Sequence, residues 1–301
     1  MICIVSHDAG GAEILSSWGL RSREPYCLVL DGPAVGIFKR KLGHCDLLSL
    51  NKAVEQSDWL LCGTSWASGL ERNAIKTARL AGKKTVAFLD HWVNYHERFQ
   101  GDGVCCYPDE IWVGDQYAYD LAENIFSDVP ILLQSNPYVE DLQKRFKDEQ
   151  LTSNARALDG STVLYLCEPI KEHAFLQHGN ERYWGYTEDD AISYFFDHIK
   201  LLGIEAPKVR IRLHPSEQAG KYDWVLRNSE NYVTKSEEPD LAKDILRSDV
   251  VVGCTSMAMY IALLAEKRVV SVIPSEGVTC SIPFKEIEHM QALVSKSRMM
   301  D

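Results

Sequence analysis

The sequence has 301 residues, 46% apolar and 25% charged, ordinary globular proportions that exclude a disordered, collagen-like or coiled-coil chain. Its formal net charge of −11 is spread over both halves, which counts against a nucleic-acid partner, because counterion release needs a basic surface. At roughly 150 residues per domain, the length predicts two domains.

In chain order, the first half predicts short buried strands at Met1–Ser6, Tyr26–Leu30, Trp59–Gly63, Thr85–Asp90, Glu110–Gly114 and Ile131–Gln134. Amphipathic stretches such as Leu70–Ala81 and Asp115–Phe126 alternate with them. That alternation predicts a parallel, doubly wound α/β sheet. Ser135-Asn136-Pro137, a charged helix-like run over Glu140–Gln150 and a polar, turn-forming Thr152–Gly160 interrupt the pattern. It restarts with strands at Thr162–Glu168, Val209–His214, Val250–Cys254 and Val269–Pro274, and helices at Thr187–Leu202, Asp240–Arg247 and Met257–Ala265. Phe284–Ser297 reads as a terminal helix. The expected layout is α/β, with two Rossmann-like domains facing each other across a cleft: 1–135, a linker at 136–160, 161–283, and a C-terminal helix at 284–301 that can pack back on the first domain.

The nine cysteines are an odd number with no C-x-x-C spacing, which argues against a zinc or thioredoxin-like site and for a reducing, cytoplasmic environment. No basic n-region or signal-like apolar stretch opens the chain. Its apolar runs fall short of the ~18–20 residues of a membrane span, so no integral membrane segment is expected.

In open α/β sheets ligands sit beyond the carboxyl ends of the strands, so the candidate residues are sought there. The first strand runs into His7-Asp8-Ala9-Gly10-Gly11-Ala12-Glu13. Two glycines let backbone approach a ligand, and His7, Asp8 and Glu13 put a base and two carboxylates near one turn. A plain helix cap by Asp8 is the structural alternative. The run is not G-x-G-x-x-G, so NAD is not supported. After the third strand, Thr64 and Ser65 offer hydroxyls. After the fourth, Asp90, His91, Asn94 and Arg98 stand among Trp92, Tyr95 and Phe99, a combination suited to a carbohydrate or a carboxylate-bearing ligand. No ligand set for a metal accompanies the Asp-His pair.

In the second half Arg210, Arg212 and His214 alternate onto one face of a strand that Pro215 ends. Two arginines inside a sheet must be paired, with carboxylates or with an anion. Gly253-Cys254-Thr255-Ser256 precedes a helix whose amino terminus suits a phosphate. Glu168, at another strand end, suits a ribose hydroxyl or a base amine, or a pairing with Arg210 or Arg212.

The order His214-Pro215, then Thr255-Ser256 at a helix start, resembles the nucleotide-binding domain of GT-B glycosyltransferases, and more narrowly bacterial sialyltransferases and Kdo transferases. The resemblance implies an inverting, metal-independent transfer of a nonulosonic acid (sialic, pseudaminic or legionaminic type) or Kdo. The donor would be a CMP-sugar. The acceptor would be a glycan, a lipid-linked oligosaccharide or a protein hydroxyl. It places His214, Thr255 and Ser256 on the donor phosphate and Asp8 as the base, with Arg98, Arg210 or Arg212 on the sugar carboxylate. No cofactor beyond the donor is implied. The acidic doublet-glycine motif of those sialyltransferases is absent, with Asp8 followed by Ala9-Gly10-Gly11. Two alternatives stand beside it: a UDP-GlcNAc 2-epimerase-like enzyme or nucleotide-sugar hydrolase on the same fold, using His7, Asp8 and Glu13 for proton transfer, and a non-catalytic nucleotide or sugar sensor.

Overall fold

A computed structural model describes residues 1–65, 68–101, 103–152, 162–228 and 232–299. By internal contacts the chain divides into Met1–Asp141 and Leu142–Asp301. In chain order the first unit comprises β1 (Ile2–Ser6), α1 (Ala9–Arg21), β2 (Tyr26–Leu30), α2 (Pro33–Leu42), α3 (Leu50–Gln56), β3 (Trp59–Cys62), α4 (Leu70–Leu80) and β4 (Lys84–Leu89). A small hairpin of β5 (Gln100–Gly101) and β6 (Val104–Cys105) follows, then β7 (Glu110–Val113), α5 (Gln116–Ile125) and β8 (Ile131–Leu133). Helix α6 (Pro137–Thr152) runs across the point of division. It covers most of the stretch in which the sequence predicts a linker with a helical run. The remainder of that stretch, 153–160, lies outside the described residues.

The second unit comprises β9 (Thr162–Leu166), α7 (Ile170–His178), α8 (Glu188–His198), β10 (Lys208–Arg212), α9 (Asp223–Asn228), β11 (Val233–Lys235), α10 (Leu241–Leu246), β12 (Val250–Gly253), α11 (Met257–Leu264), β13 (Arg268–Ser271), β14 (Ile287–His289) and α12 (Met290–Arg298). Where the sequence predicts a single terminal helix from Phe284, the chain first adds β14, with Ile287 buried opposite Val269. Helix α8 starts where predicted: the Thr187 hydroxyl accepts the Asp190 N–H and the Asp190 carboxylate accepts the Thr187 N–H, a capping box.

Each unit carries one parallel six-stranded sheet, in the orders β2-β1-β3-β4-β7-β8 and β11-β10-β9-β12-β13-β14. Counted within its own unit, the second order is the 3-2-1-4-5-6 of the Rossmann fold. The central strands lie buried between helices, and their residues are mainly apolar on both faces: β1 and β9 are buried along their whole length. The order has a chemical consequence. In the first sheet the chain leaves β1 for β2 on one side and returns to β3 on the other; in the second it does the same around β9, with β10 and β12. Neighbouring connections part at those reversals and leave a crevice beyond the carboxyl ends, the place where such sheets bind ligands. The two crevices are edged by His7-Asp8 with Gly63-Thr64, and by Glu168 with Cys254-Thr255.

Candidate functional site

At the first crevice Asp8 occupies the N-cap position of α1, yet its side chain caps nothing. Its carboxylate instead meets His7 Nδ1 at 2.7 Å. The His7 backbone N–H donates to Glu71 Oε1 at 2.7 Å. Glu71, in the first turn of α4, is 3% exposed. Burial pushes its carboxyl up to about 7, with the Asp8 charge adding to the rise and hydrogen bonds from backbone N–H groups opposing it. A Cβ on Gly32, whose φ is +53°, would stand 2.6 Å from His7 Nε2, so only glycine leaves room for the imidazole there.

Asp90, just past β4, adjoins this cluster. A Cβ on Gly10 would fall 1.9 Å from Asp90 Oδ2. Asp90 Oδ1 accepts from Arg98 Nη1 at 2.7 Å, and the same nitrogen donates to the Thr64 hydroxyl at 2.8 Å. Arg98 Nε donates to the Val93 carbonyl. Arg98 is buried and the Asp90 side chain is only 10% exposed, and the Arg98 guanidinium is engaged with the chain's own carboxylate. Gly10→Ala must displace a carboxylate locked in this pair. It is expected to cost about 1–3 kcal/mol, measured by denaturant unfolding.

Burial lowers the His91 imidazole to about 4, keeping it neutral, and its Nδ1 accepts the Trp92 N–H at 2.9 Å. Gly11 packs on Gly63, and the Ser65 hydroxyl accepts the Ser68 N–H. The fold thus gathers His7, Asp8, Gly10, Gly11, Thr64, Asp90 and Arg98. It sets Asn94 in an exposed left-handed turn with φ 56°. Glu13 turns from the crevice toward α2, where Lys41 Nζ meets Oε2 at 2.7 Å and Arg40 holds the other oxygen.

At the second crevice Glu168 Oε1 accepts the backbone N–H groups of Cys254 and Thr255 at 2.7 and 3.0 Å. Burial raises this carboxyl to about 7, with backbone N–H donors opposing the rise. The Ser256 hydroxyl caps α11 by accepting the Ala258 N–H. The Thr255 hydroxyl bonds Ser281. Gly253 lies beneath Glu168, whose Oε1 would be 3.4 Å from a Cβ there. The groups expected to meet a phosphate therefore have internal partners, chief among them the Glu168 carboxylate, rather than Arg210 or Arg212 holding that carboxylate.

His214, at the end of β10, has its imidazole pushed down by burial. Its Nδ1 lies 2.7 Å from the Ser216 hydroxyl, in the turn Pro215 begins, and its backbone N–H donates to Glu217 Oε2 at 2.9 Å. Arg212 points elsewhere: Nη1 donates to Asp244 Oδ2 at 2.9 Å and Nη2 to the Pro239 carbonyl. Sequence reasoning missed Glu71, which reads as an ordinary acidic residue in a helix's first turn, and Asp244. Among the described residues no group of three or more His, Cys, Asp or Glu side chains is placed to hold a metal, and no helix is long and apolar enough to cross a membrane.

No family model matches the sequence, and no curated protein matches it. Several solved structures share the fold. The UDP-GlcNAc 2-epimerase of Methanocaldococcus jannaschii, solved with UDP-GlcNAc and UDP, aligns over 99% of this chain and 92% of its own at 10% identity, with a TM-score of 0.63. S. aureus MnaA, solved with UDP, aligns over 99% of this chain and 87% of its own at 10% identity and 0.65. The Neisseria meningitidis UDP-GlcNAc 2-epimerase bound to UDP-GlcNAc aligns over 99% and 91% at 11% identity and 0.58. The expected pair of Rossmann-like α/β domains is the architecture that this chain shares with them.

Proposed function

We propose that the protein is a nucleotide-sugar enzyme of the epimerase or hydrolase type, acting by proton transfer on a UDP-sugar. The observation that carries this reading is Glu71: a buried carboxyl raised to about 7 and bonded to the backbone of His7, whose imidazole is in turn paired with Asp8. A carboxylate poised near neutral pH takes and returns a proton efficiently, which epimerisation needs at a sugar carbon and hydrolysis needs at water. Asp8 fixes the His7 ring through Nδ1 and leaves Nε2 to exchange a second proton. In the second unit Glu168, whose two oxygens accept the Cys254 and Thr255 N–H groups, orders the turn before α11 beside which the nucleotide would lie. The fold shared with UDP-GlcNAc 2-epimerases supports a UDP-sugar over a CMP-sugar.

A thermal-shift panel of UDP, CMP, GDP and CDP tests the nucleotide. A ligand at 100 times its Kd stabilises by about 2.7 kcal/mol, and UDP is expected to give that shift while CMP does not. UDP-GlcNAc incubated without any acceptor should then be converted. Stabilisation by CMP alone, with turnover only when a glycan acceptor is added, would overturn the reading in favour of nonulosonate or Kdo transfer from a CMP-sugar.

A further inference from the structure

The first unit contains a cavity of about 370 Å³ apart from the strand-end cluster. It is lined by Trp18 of α1, Phe88 of β4 and Trp112 of β7, with Arg23, Glu24 and Gln134 among its polar residues. Its size falls within the roughly 300–1,000 Å³ of small-molecule sites.

The aromatic wall is held in place by its own packing. Trp18 meets Trp59 edge-on at 6.2 Å, and Trp112 lies 6.5 Å from Trp18 and 6.2 Å from Trp59. Buried indole N–H groups usually find an acceptor; these three indoles are half-buried. Trp59 and Trp112 reach Glu24 and Glu110 at 3.5 and 3.4 Å. Among the described residues the Trp18 indole N–H has no partner, and neither do the side chains of Arg23, Gln134 and Ser135, all of which line the cavity.

The charges around the cavity are nearly balanced. Arg21 is held by Glu140 and Asp141, while Arg23 and Glu24 are opposite and adjacent. An anion would meet as much repulsion as attraction, and a purely apolar ligand would strip water from Arg23, Glu24 and Gln134 without replacing its hydrogen bonds. An apolar corner formed by two indoles tilted 47° to each other, beside unpaired donors and an acceptor, matches a pyranose ring, which has an apolar C–H face and a hydroxylated edge. We propose that this cavity binds a neutral sugar ring with its apolar face in the angle between Trp18 and Trp112 and its hydroxyls on Arg23, Glu24 and Gln134.

The test uses the full chain with N-acetylglucosamine and methyl α-glucoside as probes and uridine as control, read by tryptophan fluorescence and by ligand-observed NMR. At least one of the sugars should bind saturably and uridine should not. The exposed pair R23A/Q134A should weaken sugar binding about tenfold without altering the unfolding midpoint. Trp18→Phe should retain most of the affinity, and Asp8→Ala should leave sugar binding unchanged while turnover of a UDP-sugar is lost. Binding of neither sugar, binding of uridine in their place, or binding lost in Asp8→Ala but kept in R23A/Q134A would each overturn the assignment. Because it does not involve His7, Asp8 or Glu71, it stands or falls apart from the proposed activity.

Discussion

Replacing Asp244 by alanine should destabilise the second unit by about 3 kcal/mol, the lower end of the range for breaking a buried charge pair. Asp244 is 1% exposed and serves two arginines of one strand. Its Oδ1 accepts from Arg210 Nε at 3.2 Å, and its Oδ2 from Arg212 Nη1 at 2.9 Å and from the Ser236 hydroxyl. Removing the carboxylate leaves two guanidiniums facing each other with only carbonyls and one hydroxyl for company. About a fifth of each arginine side chain is exposed, so water recovers part of the loss. Asp244→Asn keeps the shape but removes the charge and should fall between. A triple replacement, Asp244→Leu with Arg210→Met and Arg212→Met, should restore most of the stability, since matched apolar groups of similar volume commonly equal a buried ion cluster. Urea unfolding followed in the second unit measures all three. A loss under about 1 kcal/mol for Asp244→Ala would mean that the cluster is solvated rather than structural.

That cluster marks how far the sequence could be read. Alternation along Val209–His214 puts Arg210 and Arg212 on one face and requires a partner, because an unpaired charge inside a sheet is too costly. It could not name Asp244, which comes from α10, more than thirty residues away, and reads in isolation as a polar residue inside a helix. The strands themselves were legible because a sheet covered on both faces needs uninterrupted apolar runs. Their lateral order was not, since hydrophobic period carries no information about neighbours, and the crevices follow from that order. Short edge elements such as β11 and β14, three residues each, give too little pattern to be seen. Glu13 shows the opposite difficulty. It is five residues from Asp8 in sequence, but five helical steps of about 100° turn it to another face, where Lys41 and Arg40 hold it.

Glu71→Gln should lower turnover by about 10²–10⁴-fold, the usual worth of a positioned general base, with little effect on nucleotide binding. The amide oxygen can still accept the His7 N–H, so the backbone stays where it is and the loss reports on the proton. In the wild type the rate should rise with pH through about 7, as the buried carboxyl ionises. The variant should lose that limb. Stability gives an independent reading with the opposite slope. The folded-state value of about 7 lies above the ordinary 4.5, so the native state binds this proton more tightly than the unfolded chain does. The group's stabilising contribution is complete below about pH 4.5, declines as pH rises, and is gone above about 7, a change of about 3 kcal/mol at 1.36 kcal/mol per unit. Glu168 has the same sign and range, so removing Glu71 should flatten the wild-type decline only partly, and removing both carboxyls should flatten it further. Unfolding curves between pH 5 and 8 measure this. Unchanged slopes would show Glu71 solvated and ionised throughout, and turnover within tenfold of wild type would assign the proton transfer to Asp8 and His7 instead.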